Sequence, residues 1–143
     1  MNVAQALKIQ LADWNLLYVK LHNFHWNVKG RDFFTLHEKF ELLYNEASTY
    51  IDDIAERILA LGDNPPASFK EYLDLTSLEE AKGNEDAKKM VKTIVSDFKK
   101  ILVNSKAGIE AANENDDDTT VDLLTQIHVA LEKHIWLFSA FLG

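Results

Sequence analysis

The sequence predicts an all-α fold: a four-helix bundle with a short helix in one long crossover. Three observations carry this reading. Apolar residues recur in alternating steps of three and four along four long segments. The two prolines are adjacent, at Pro65 and Pro66, which leaves those segments free of the strongest helix breaker. Two of the three linkers are short and the middle one is long. The 143 residues, 47% of them hydrophobic, suffice for a single domain spanning 1–143 with its own core.

The first stripe passes through Leu7, Leu11, Trp14, Tyr18, Leu21, His25 and Val28, and the helix is expected to end near Lys29 and Gly30. The second runs from Leu36 through Phe40, Leu43, Ala47, Tyr50 and Ile54 to Leu61, where Gly62, Asp63, Asn64 and the prolines supply a stop. Residues 62 to 83 form the long connection. Within it, Ser68 with Glu71 and Ser77 with Glu80 have capping-box spacing, so short helical turns are expected at both. A third helix starts near Asn84 to Asp86, carries Ala87, Val91, Ile94, Phe98, Ile101 and Ser105, and fades near Asn113. The polar run NENDDDTT separates it from a fourth, which holds Val121, Leu124, His128, Leu131, Ile135, Phe138 and Leu142 behind an Asp/Thr cap cluster. Two helical hairpins joined by a crossover make the ferritin-like version of a four-helix bundle.

Composition narrows the function classes. The chain has no cysteine, which excludes disulfides, a thiolate zinc site and a cysteine nucleophile. No apolar run approaches membrane-spanning length, and the start, MNVAQALKIQLADW, lacks the pattern of a secretory signal, so a cytoplasmic location is expected. Fifteen basic against 23 acidic residues give a formal charge of −8, which disfavours nucleic acid and anionic membranes as partners and favours cations.

A metal-binding bundle is first tested by a Glu-x-x-His pair, and the sequence has none, so a two-metal centre inside one chain is not expected. The second helix offers another source of ligands. His37, Glu41, Asp52 and Glu56 fall on nearly one face, beside the core stripe, as two pairs with i, i+4 spacing. Fifteen helical steps, roughly 22 Å, separate His37 from Asp52, so one chain cannot bring both pairs to one ion. Two copies packed antiparallel about a two-fold axis near Glu46 and Ala47 can: each His37 then faces the mate's residue 56, and each Glu41 its residue 52. Folding back at the turn brings His25 level with His37. The expected site is therefore His25, His37 and Glu41 from one chain with Asp52 and Glu56 from another. Imidazole with carboxylate suits iron, and zinc or manganese equally satisfies the donor set. Spacing alone leaves a blander reading open, in which His25 packs in the core and the carboxylates are solvated helix charges.

The stretch HNFHWNVKGRDFFTLHEKFELLYNEASTYIDDIAERILALG, from His22 to Gly62, closely resembles the Dps family of ferritin-like proteins. The resemblance lies in the pair His25–Trp26, the block FFTLHEKF and the block DDIAER, and the ending KHIWLFSAFLG is similar to the family's last helix. It implies a hollow twelve-subunit shell that oxidises ferrous iron at two-fold interfaces, with hydrogen peroxide or oxygen as oxidant, stores ferric mineral inside, and thereby protects DNA. Carried over by position, it implies His25, His37, Asp52 and Glu56 as ligands. Many relatives have Asp at position 41, and Glu41 extends that carboxylate by one methylene. Trp26 is implied as an electron donor, with an aromatic packing role as the alternative. In the acidic run of Asp116, Asp117, Asp118 and Asp122, the last two are implied to line an iron-entry pore; a helix cap is the plainer reading. The alternative function is nucleoid DNA binding and compaction through a basic arm. Lys8 is the only basic residue before Trp14 and no arm follows the last helix, so direct DNA binding is expected to be weak or absent.

Overall fold

The computed structural model describes residues 1–143 and contains five helices and no strand: α1 (Val3–Asn27), α2 (Phe33–Ala60), α3 (Phe69–Leu75), α4 (Ala87–Glu114) and α5 (Asp118–Leu142). The four long helices fall where the apolar stripes place them. No helix is long and apolar enough to cross a membrane.

Local chemistry sets the ends. Asn2 caps α1 in a reciprocal box with Gln5, each side-chain oxygen accepting the other's backbone N–H at 2.8 and 3.1 Å. At the end of α2, the Gly62 N–H bonds to the Leu59 carbonyl and the Asp63 N–H to that of Ile58, the paired closure that needs a left-handed residue; Gly62 supplies it at φ +84°. The end of α4 repeats this closure with Asp116 at φ +54° in the glycine's place, a conformation that aspartate tolerates better than most residues. Ser68 caps α3 as its spacing predicts. The expected turn at Ser77 and Glu80 does not form. Ser77 instead gives its N–H and hydroxyl to the buried carboxylate of Asp13 on α1, which also accepts hydrogen bonds from Thr76 and Asn104. A distant acceptor thus outcompetes the local cap.

Residue pairs fix the register. Ala6 meets Gly108, Asp13 meets Asn104, and Lys20 meets Asp97, so α1 and α4 run antiparallel. Phe98 lies against both His134 and Phe138, while Ser105 reaches Leu124, so α4 and α5 are antiparallel too. Arg57 bonds to Asp117 and Thr120 at one end of the α2–α5 seam, and Glu46 to His134 further along. The crossover climbs α1 from the Lys8–Asp63 ion pair to Asp13 and on toward Lys20. Inside sits one continuous apolar cluster whose largest members include Trp14, Phe24, Phe40 and Phe98. Burying such side chains contributes about 1.5–3 kcal/mol each.

Polar links hold the wide α2–α5 seam. Burial acts to raise the Glu46 pKa, but hydrogen bonds from His134 and Tyr50 outweigh it and hold the carboxyl below its usual range. Burial likewise opposes ionisation of Asp117, and bonds from Thr120 and Arg57 reverse the balance. Asp117 is therefore committed to capping α5 and anchoring α2, whereas Asp118 and Asp122 stay exposed on the first turns of α5.

Candidate metal centre

The turn after α1 brings two imidazoles face to face. The rings of His25 and His37 stack with centroids 3.8 Å apart and planes 12° apart. The Nδ1–H of His25 donates to the His37 carbonyl at 2.6 Å, and the Nδ1–H of His37 donates to the His25 carbonyl at 2.7 Å. A carbonyl can only accept, so both Nδ1 atoms carry protons. In the neutral rings this leaves both Nε2 lone pairs free, and backbone support of this kind fixes the tautomer and orientation of a metal-binding histidine. His25 is 6% exposed, and Phe33 stacks on the outer face of His37 at 4.9 Å.

Glu41 lies one turn beyond His37, with Oε1 3.8 Å from Nε2 of His25 and its side chain half exposed. It reaches the edge of the imidazole pair without closing a cluster. No group of three or more histidine, aspartate or glutamate side chains in the single chain is arranged to hold a metal ion. The structure thus brings together His25 and His37, with Glu41 beside them. Asp52 and Glu56 occur elsewhere on α2, both exposed, as the helical rise requires.

Asp52 and Glu56 form their own pair. The Glu56 carboxyl is raised above its usual value, first by a hydrogen bond with Asp52 and then by the charge of Asp52. Two carboxylates held this close on a helix repel each other, and a cation between them relieves that repulsion. One half of the chain therefore presents nitrogen donors without enough negative charge, and the other presents negative charge without a partner.

An aromatic group borders the imidazoles that helix spacing alone did not single out. Tyr44 meets His25 edge-on at 5.4 Å, and His22 stacks on Tyr44 at 3.8 Å. The Nδ1–H of His22 donates to the Tyr18 carbonyl at 2.8 Å, which fixes its ring. Trp26 lies 5.3 Å from His22 and is 69% exposed. The Tyr44 pKa is raised, by burial against these neighbours first and by Glu41 next. The signal was present: Tyr44 lies seven residues past His37 and three past Glu41, and His22 three before His25, all helix-neighbour spacings.

Comparison with known proteins identifies the family of the whole chain. Residues 4–143 match the ferritin-like domain family. The chain is 54% identical to "DNA protection during starvation protein 2" of Bacillus anthracis over 142 residues, covering 99% of this chain and 97% of that one. The crystal structure of a Dps protein from Bacillus brevis superposes with a TM-score of 0.97 at 50% identity, over 99% of this chain and 95% of that one. A Dps structure from Vibrio cholerae O1, described as a member of a broad superfamily of ferritin-like diiron-carboxylate proteins, superposes at 0.96 with 33% identity, over 99% of this chain and 89% of its own. With its helices, crossover and whole length accounted for by these relatives, the chain belongs to the Dps family of ferritin-like proteins.

Proposed function

We propose that this protein oxidises ferrous iron at sites shared between paired subunits and stores the ferric product inside a twelve-subunit shell in the cytoplasm. The carrying observation is the reciprocal bonding of His25 and His37, which leaves the Nε2 lone pairs of two neighbouring neutral rings free in a chain with no complete metal-holding group of its own. Iron is the substrate. His25, His37 and Glu41 of one subunit and Asp52 and Glu56 of its mate hold it, and the same donors accept zinc or manganese as competitors. Two ferrous ions give two electrons to one peroxide, which takes up two protons and leaves as two waters. Molecular oxygen serves as the slower oxidant. Asp118 and Asp122, one turn apart at the start of α5, line the iron entrance.

Ferrous titration of the assembled particle, with peroxide and oxygen compared, tests the reading. Rapid oxidation that saturates with the number of two-fold contacts is expected, with peroxide faster. A stable monomer by native mass measurement would remove the shared site and the function with it.

Protection of DNA then follows from consuming iron and peroxide rather than from coating the duplex. Each chain carries a formal −8, and affinity for DNA depends on basic side chains displacing counterions from phosphates. In a mobility-shift assay with metal chelated, no retained complex is expected at physiological salt. Tight binding that survives there would make nucleoid binding a primary function.

A further inference from the structure

We propose that Tyr44 is a redox-active residue of this site, supplying the second electron when a site holding a single ferrous ion meets peroxide. The proposal rests on the iron-oxidising reading above. Peroxide needs two electrons to become two waters, and one ferrous ion gives one. A lone ion would therefore cleave peroxide to water and a hydroxyl radical. A site filled one ion at a time passes through single occupancy. The imidazole pair provides one firm position, whereas any second position depends on Glu41, which is half exposed and stands 3.8 Å from His25 Nε2.

Tyr44 is placed to close the deficit. Its ring meets the edge of His25 at 5.4 Å with the planes 86° apart, a direct edge contact with the imidazole. Tyr18 is a step further, 6.1 Å beyond Tyr44. Trp26 connects through His22, which stacks on Tyr44 at 3.8 Å and 18°. The rings His25, Tyr44, His22 and Trp26 thus form a continuous path from ligand to surface, and Tyr44 is its first oxidisable member.

The step balances. One ferrous ion, the Tyr44 phenol, one peroxide and one proton give one ferric ion, a neutral phenoxyl radical and two waters. The phenolic O–H and the peroxide O–O bonds break, and the phenolic hydrogen ends in water. A ferrous ion arriving later reduces the phenoxyl, which takes up one proton and returns to the phenol, leaving a second ferric ion.

The experiment loads the assembled protein anaerobically with one ferrous ion per site, adds one equivalent of peroxide, and reads electron paramagnetic resonance together with a spin trap for hydroxyl radical. Wild-type protein is expected to show a phenoxyl signal and little trapped hydroxyl. Tyr44→Phe, which keeps the ring, is expected to lose the signal and release severalfold more trapped hydroxyl. Tyr72→Phe, on α3 away from the imidazoles, should match wild type. Ring-deuterated tyrosine in the wild-type protein checks the radical independently of any variant, by collapsing its hyperfine splitting. A wild-type signal insensitive to that label, or equal hydroxyl release from Tyr44→Phe, overturns the proposal and leaves iron oxidation standing. Failure of the wild type to oxidise iron at all sinks both.

Discussion

Replacing Asp52 or Glu56 by alanine is expected to slow rapid iron oxidation by at least about ten- to a hundredfold, the range seen when even indirect supports of a metal ligand are removed. In the proposed site each carboxylate supplies charge that the imidazole pair lacks. Fold stability should hold or rise slightly, because truncating either one removes a repulsion from α2. That separates loss of a ligand from loss of structure. His25→Ala should be milder, since His37 bonds to the backbone carbonyl of residue 25, which alanine retains. The decisive form of the test mixes chains. A His25/His37 double variant and an Asp52/Glu56 double variant are each dead alone. Reassembled in equal amounts, about half of the two-fold contacts become hybrid, and each hybrid holds one intact site of two. Recovery of about a quarter of wild-type activity is therefore expected. No recovery from well-assembled mixtures would place all the ligands in one chain, or elsewhere.

The largest effect on stability is expected at Lys20. Its ammonium lies 2.8 Å from Asp97 with the two side chains 3% and 5% exposed, the one charge pair with both partners fully inside the bundle. Removing one partner of such a pair leaves an uncompensated buried charge and costs about 3–5 kcal/mol. Lys20→Met should show that loss as a lower urea midpoint, whereas Lys20→Met with Asp97→Leu should recover most of it. Burial already raises the Asp97 pKa in the wild type despite the lysine beside it. The folded chain then holds more protons than the unfolded one, so this carboxyl's contribution is fullest below its unfolded pKa of about 4 and shrinks as pH rises through the folded value. With Lys20 gone the effect grows, and Lys20→Met should be weakest at neutral and alkaline pH. A single variant as stable as the double would mean that water reaches the pair.

The long helices were legible because burial imposes one period on each stripe: Leu7, Leu11, Trp14, Leu21 and His25 on α1 and Leu124, Leu131 and Phe138 on α5 are buried, with Tyr18, His128 and Ile135 half-buried between them. Ser77 was misread because its spacing to Glu80 is local information, whereas the acceptor it uses, Asp13, lies 64 residues away. Lys20 and Asp97 could not be paired from sequence for the same reason, since 77 positions separate them. The imidazole pair was half legible. Helix spacing placed His25 level with His37, but nothing in the spacing announces that each ring bonds to the other's backbone. Tyr44 was not singled out because the rings that give it a role, His22 and His25, belong to α1.

The crossed bonds of His25 and His37 also decide when disorder is surrendered. Each ring loses its rotational freedom as the chain folds, so in the proposed site an arriving ion need not immobilise either imidazole. The same two bonds fasten the end of α1 to the start of α2 across residues 28 to 32. On the proposed function, capture and release of iron then run on a backbone already tied in place, a fixed anvil for each passing ion.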